Sequence, residues 1–188
     1  MARPRSEDKR NALMAAATRV IVTQGLGAPT ATIAQEAGVS NGSLFTYFQT
    51  KTELFNQLYL ELKDGMASAA LEGFPTAAGV REQLFHVWSH WMEWAVSNPE
   101  KRRALAQLGV SEEITRASRT AVNKTMAGIV ELMERSRANG PLRDAPLGFV
   151  AAIMNSLAET TMDFMIQDPR HAKKHCKVGF EALWRVVA

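Results

Sequence analysis

Residues 32–51 read TIAQEAGVSNGSLFTYFQTK. Ile33, Ala34 and Ala37 put apolar atoms on one face at helical spacing. Gly38 follows as a stop, because glycine takes a left-handed backbone at little cost. Val39 plugs the angle between two helices. Ser40 then offers an N-cap oxygen to a second helix, which carries Asn41, Ser43, Leu44, Phe45, Thr46, Tyr47 and Phe48. Two short helices joined by a tight turn form a helix-turn-helix, whose second helix enters the DNA major groove. The expected partner is double-stranded DNA, read by sequence.

The stretch GVSNGSLFTYFQTKTELF, residues 38–55, resembles the DNA-binding signature of the tetracycline-repressor (TetR) family of bacterial regulators. That pattern runs Gly-Val-Ser, a variable residue, Gly, Ser or Thr, Leu, an aromatic, a variable residue, an aromatic, Phe, two variable residues and Lys. Here it stands as Gly38-Val39-Ser40, Gly42-Ser43-Leu44-Phe45, Tyr47-Phe48 and Lys51. An Ala-rich run upstream, Gly25 and Ile33-Ala34 also fit, so the similarity covers residues 8–60 of the 188. Beyond that, only length and helical character agree.

The resemblance implies roles position by position. Asn41, Gly42, Ser43 and Thr46 would lie nearest the bases. Asn41 leads this set, because a side-chain amide can make paired hydrogen bonds to adenine. Gly42 would let the helix backbone approach the DNA. Tyr47, Lys51 and Thr30 match phosphate-binding positions, and Ser43 could serve a phosphate instead of a base. Ser40 and Phe45 complete the DNA-facing set. Phe45 departs from the pattern, where tyrosine is usual. Losing that hydroxyl removes about 0.5–1.5 kcal/mol per hydrogen bond, although the ring could touch a thymine methyl. Leu44 and Phe48 read as core rather than as readers.

Charge supports the same segment. Residues 1–51 hold six Lys or Arg (Arg3, Arg5, Lys9, Arg10, Arg19, Lys51) against three acids (Glu7, Asp8, Glu36), whereas residues 52–188 hold sixteen of each sign. The whole excess of +3 therefore lies with the helix-turn-helix, as phosphate attraction requires. The apolar share of 46% suffices for a core. One cysteine, Cys176, excludes an intrachain disulfide framework. The charged N-terminus lacks a signal-peptide core, and the most apolar stretch, residues 147–157, is too short to span a bilayer. A soluble, cytoplasmic protein with no membrane partner is expected.

No segment alternates with period two, so the fold class expected is all-α with about nine helices. The first begins near Ser6, with Glu7 and Asp8 complementing its dipole, and ends at Gly25. Pro29 suits the first turn of the second. Thr50-Lys51-Thr52-Glu53 is a capping box opening the fourth, which ends at Gly73-Phe74-Pro75. Helices follow over 77–96 and 99–108. A single long helix is expected from Ser111 to Asn139-Gly140-Pro141, then one from Asp144-Ala145-Pro146 to Gln167, and a last one from Asp168-Pro169 to Val186. The division expected is a DNA-binding domain over 1–52 and a ligand-sensing and dimerisation domain over 53–188.

In the second part, Leu84, Phe85, Val87, Trp88, Trp91, Met92, Trp94 and Ala95 surround most of one helix, which reads as central and buried. The family resemblance implies a ligand cavity among such helices. Trp88, Trp91, Met92, Met133, Asn155, Glu159 and Met162 are the candidate lining residues, with Phe164 and Met165 nearby. Met and Trp suit an apolar or flat effector, whereas Asn155, Glu159 and Asp163 would form a polar wall favouring a cation, or else face solvent or the dimer partner. The resemblance also implies a homodimer formed by the last two long helices. Their apolar stripes are Val150, Ile153, Met154, Leu157 and Thr161 on one, and Phe180, Leu183, Trp184 and Val187 on the other; core and interface share this pattern.

The function implied is a ligand-responsive regulator, a repressor by resemblance, that reads a palindromic operator as a dimer and is released by a small effector. Release would swing the fourth helix and change the separation of the two recognition helices. No cofactor and no catalytic residues are expected, because nucleophile motifs, phosphate loops and paired-carboxylate spacings are missing. Two alternatives remain: a helical interaction module, and a metal sensor using the pair His86 and His90, repeated in spacing by His171 and His175 beside Cys176. Structural zinc sites favour four ligands, which no compact cluster supplies here.

Overall fold

The computed structural model describes residues 3–188, with side chains from residue 7 onward. The side chains of Arg3, Arg5 and Ser6 therefore lie outside the described residues. The described chain forms ten α-helices and one 3-10 turn, with no strand among the described residues. They are α1 (Arg3–Gln24), α2 (Thr30–Glu36), α3 (Asn41–Tyr47), α4 (Lys51–Leu71), α5 (Val80–Ser97), α6 (Pro99–Gly109), α7 (Arg116–Thr125), α8 (Ala127–Arg137), α9 (Leu147–Gln167), the 3-10 turn Pro169–His171 and α10 (Ala172–Val187).

Three boundaries differ from the expectations. The first helix starts upstream of Ser6, at Arg3, so Glu7 and Asp8 fall in its second turn rather than at its positive end. The long helix expected from Ser111 is two. Residues 111–115 form a loop, and Met126 (φ −87°, ψ 3°) interrupts the ladder between α7 and α8. The last helix begins at Ala172, because Pro169 opens a 3-10 turn first.

The chain divides into two compact units. The first comprises the described residues up to Asp64 together with Pro99–Asn123; the second comprises Gly65–Asn98 and Lys124–Ala188. In the first unit α1 packs on α2 and α6, and α2 packs on α3. Leu13, Ala17, Ile21, Ile33, Ala34, Leu44 and Phe48 are buried there, together with Leu54, Phe55 and Leu58 of α4 and Ala104 and Leu108 of α6. The Gln107 amide donates to the Ile21 carbonyl at 3.2 Å, tying α6 to the end of α1.

In the second unit α5 packs on α8, α9 and α10, and α9 packs on α10. The core joins Leu84, Val87, Trp88, Met92 and Ala95 of α5 to Leu132, Met133, Val150, Met162, Phe180 and Leu183. The α5 helix is not buried all round: Phe85 is exposed, and Trp91 and Trp94 are half-buried. The helices α9 and α10 approach closely at Gly179, where a Cβ would stand 2.2 Å from Thr161 Oγ1.

Polar groups in this core are satisfied. The Trp88 indole donates to the Cys176 carbonyl at 3.0 Å. The Arg137 guanidinium donates to the carbonyls of Leu142, Arg143 and Ala145 and pairs with Glu134, fixing the loop before α9. Burial, and secondarily the charge of Glu93, push the Cys176 thiol up to about 11. At pH 7 that leaves on the order of one thiolate in ten thousand. Folded protein is therefore expected to resist maleimide labelling at neutral pH and to label rapidly in denaturant. Equal rates in the two states would contradict this packing.

Candidate nucleic-acid interface

The turn between α2 and α3 is built by backbone chemistry. The Val39 amide donates to the Ala34 carbonyl at 2.9 Å, and the Gly38 amide donates to that of Gln35 at 3.0 Å. These two bonds form a Schellman stop, which needs a left-handed residue at its centre. Gly38 supplies it at φ +69°, with open space where a side chain would sit, so conformation rather than crowding selects glycine. The Ser40 Oγ accepts the Ser43 amide at 3.1 Å and caps α3.

Leu44 and Phe48 are completely buried, as expected of core residues, and anchor α3. Anchoring that face turns the opposite one outward. Asn41, Gly42, Phe45 and Thr46 are exposed, and Ser43 and Tyr47 are half-buried. A Cβ on Gly42 would meet only Ser40 Oγ at 4.0 Å, so the surface over the start of α3 is open to a groove. Phe45 exposes 43% of its surface, a large ring standing in water. The Thr46 hydroxyl points back to the Gly42 carbonyl at a long 3.4 Å, a weak bond that a base edge could replace.

The next helix is capped as read. The Glu53 amide donates to Thr50 Oγ1 at 3.0 Å, while the Glu53 carboxylate accepts from the Gln49 amide at 2.7 Å, one residue before the usual partner. Lys51 opens α4, half-buried, with its ammonium 5.3 Å from the Phe55 ring centroid. Thr30 opens α2 after Pro29 and is also half-buried.

The cations are not equally available. Arg10 donates to Glu61 and Gln57 of α4 and lies over the Phe48 ring, and Arg19 pairs with Glu36 of α2 at 2.7 Å. Two of the six cations counted in the sequence thus brace the helices. Lys9 is exposed.

The candidates of the second unit separate. Trp88, Met92, Met133 and Met162 are buried in one core, with half-buried Trp91 edge-on to Trp88 at 6.2 Å. Asn155 and Glu159 are not with them. One helical turn apart, they occupy the exposed face of α9, with Asp163 exposed a further turn on, whereas Ala158, Thr161, Met162 and Met165 face the core. The apolar stripes also split. Val150, Thr161, Phe180, Leu183 and Val187 are buried within this chain. Ile153, Met154, Leu157 and Trp184 are half-buried. Phe149, Phe164, Ile166 and Val178 are the exposed large apolar side chains of α9 and α10 among the described residues.

The histidine pairs are engaged otherwise. The His86 and His90 rings stack with centroids 3.9 Å apart, His86 Nε2 lies 2.8 Å from the Glu72 carbonyl, and His90 Nδ1 lies 2.9 Å from that of His86. His171 Nδ1 and His175 Nε2 sit 2.9 and 3.0 Å from the same Asp168 oxygen, and these bonds hold that carboxyl below its ordinary range. No group of three His, Cys, Asp or Glu side chains is placed to hold a metal ion among the described residues. No described helix is long and apolar enough to cross a membrane.

Residues 13–58 match the sequence model of bacterial regulatory proteins of the tetR family. The fold is similar to that of a protein from Shewanella sp. PV-4 assigned as a tetR family transcription regulator, at 26% identity and TM-score 0.82, over 94% of this chain and 96% of that one. It is also similar to a TetR family transcription regulator from Marinobacter aquaeolei VT8, at 21% identity and TM-score 0.85, over 97% and 96%. A third likeness is to the TetR-like transcriptional regulator LfrR from Mycobacterium smegmatis in complex with proflavine, at 18% identity and TM-score 0.66, over 96% and 98%. The last two carry the fold alone.

Proposed function

We propose that this chain is a tetR-family transcriptional regulator, a ligand-responsive repressor that reads a palindromic operator as a homodimer. The observation that carries the reading is the surface of α3. Asn41, Gly42 and Thr46 stand exposed on a helix whose other face is locked by Leu44 and Phe48. An interaction module has no need of an amide and a hydroxyl over an open glycine; base edges do. One short helix reads few base pairs, and a two-fold pair on half-sites one turn apart supplies the rest.

In this reading Asn41 and Thr46 contact bases. Ser43, Tyr47, Lys51 and Thr30 hold phosphates. Ser40 caps the helix, and Phe45 presents its ring to the groove wall. Dimerisation uses α9 and α10 through the side chains left outside the core, among them Ile153, Met154, Leu157 and Trp184. The effector enters the Trp- and Met-rich core of the second unit at Trp88, Trp91, Met92, Met133 and Met162. Adaptable methionines make room there, and the likeness to LfrR, which was solved in complex with proflavine, supports a small-molecule effector. To release DNA the effector must bind the non-reading state more tightly than the reading one.

A salt titration tests the phosphate assignment. Each phosphate contact steepens the log–log dependence of binding on salt by about 0.9. Lys51→Ala is expected to weaken all operator variants alike and to flatten that slope by about 0.9 per lost contact. An unchanged slope would remove Lys51 from the phosphate set. A tightly bound effector that leaves operator affinity unchanged would end the ligand-responsive part.

A further inference from the structure

Asn56 is a buried amide in the first unit with every hydrogen-bonding position used. It exposes 8% of its surface. Its Nδ2 donates to the carbonyls of Thr52 and Glu113, both at 2.7 Å. Its Oδ1 accepts the Thr115 backbone amide at 2.9 Å and the Thr115 hydroxyl at 3.1 Å. A side-chain amide has two donors and two acceptor lone pairs, so nothing is left over. The Thr115 hydroxyl in turn accepts the Ser118 amide at 3.2 Å and caps α7. One turn before Asn56, the Thr52 hydroxyl donates to the Glu113 carboxylate.

The loop 110–115 is held from its other side as well. The Arg119 guanidinium donates to the carbonyls of Gly109 and Ser111, each at 2.9 Å. Ile114 is buried beneath it. The loop therefore acts as a strap, bonded on one side to the first two turns of α4 and on the other to α7. Those turns of α4 begin with Lys51, next to Thr52.

We propose that Asn56 is a positioning residue for DNA reading, which fastens the Lys51 end of α4 to the strap 110–115 so that α6 and α7 move with the recognition helices as one body. The inference rests on the reading of Lys51 as a phosphate anchor. It enlarges the reading head beyond the three N-terminal helices, in keeping with the compact unit that joins the described residues up to Asp64 to Pro99–Asn123. A head held in this way presents its two recognition helices at one separation in the dimer, whereas a head free to pivot on α4 tolerates several.

The test measures binding of the full chain to its operator and to versions with one base pair inserted or deleted between the half-sites. Asn56→Ala leaves the Thr115 amide and the Glu113 carbonyl without their partner, and is expected to weaken the native operator roughly tenfold. The decisive readout is the spacing profile. The wild type should fall off steeply on insertion or deletion, and Asn56→Ala should fall off less. A merely destabilising change would lower all spacings alike, and that uniform loss, or an unchanged profile, overturns the proposal. If Asn56→Ala does not fold, Thr52→Val removes only the Thr52–Glu113 bond and should flatten the profile in the same direction; a wild-type profile in that variant overturns it too. Failure of the wild type to bind any operator would instead overturn the regulator reading, and this inference with it.

Discussion

Phe48→Ala is expected to abolish DNA binding by melting the helix-turn-helix. Phe48 is completely buried at the end of α3, its amide donates to the Leu44 carbonyl at 3.0 Å, and the Arg10 guanidinium lies over its ring. Removing a buried aromatic ring costs about 3–5 kcal/mol through lost transfer energy and the cavity left behind. The three N-terminal helices share a small core in which most other side chains are Leu, Ile or Ala. A whole domain is stable by about 5–15 kcal/mol, so the loss is a large fraction of what holds α3 in place. Thermal denaturation followed by circular dichroism should show an early transition, with operator binding gone. Phe45→Ala, three residues away on the exposed side, should change stability by no more than about 0.5 kcal/mol, the usual surface effect. Equal stability of the two variants would contradict the division of α3 into a core face and a reading face.

Asn41→Ala is the second large effect, and it falls on specificity rather than on folding. Asn41 is exposed in the first turn of α3, where Ser40 caps the helix through the Ser43 amide and not through Asn41. Truncation leaves the cap intact. A bidentate amide–base contact is worth about 1–3 kcal/mol of discrimination, and a dimer makes it twice, so the two losses add for separated half-sites. The variant should keep its salt dependence, because phosphate contacts set that slope. It should lose preference at one base pair in each half-site and retain it at the others. A uniform loss across all sequences would instead place Asn41 among the phosphate ligands.

The legible parts of this chain are those where local chemistry leaves one solution. Gly38 must be left-handed, Ser40 must cap, and Leu44 with Phe48 must go inside. The turn therefore follows from residues 32–51 to the residue. The break between α7 and α8 was not legible. It falls at Met126, in a stretch without proline, where the backbone takes bridge-region angles that any residue type can adopt. The apolar stripes on α9 and α10 were legible as stripes, but a stripe does not say which chain it packs against. Thr161 shows why, since it lies inside only because Gly179 of α10 lets the two helices close on it. Glu159, read as part of a polar wall or as facing solvent, lies with Asn155 on the exposed face of α9.

The role of Asn56 is not legible in the sequence because, apart from the Thr52 carbonyl, its partners lie fifty-seven and fifty-nine residues further along the chain. Its one local sign was a polar residue between Phe55 and Leu58, both buried. The same long-range closure accompanies the inclusion of Pro99–Asn123, α6 and most of α7, in the first unit.

The central claim is that this chain reads a two-fold DNA sequence through α3. Selection of bound sequences from random duplex DNA at near-physiological salt, with wild-type protein, tests it most directly. The account predicts enrichment of a palindrome whose half-sites are centred about one helical turn, or a multiple of it, apart. Enrichment of no sequence, or of a single unpaired site, would contradict it.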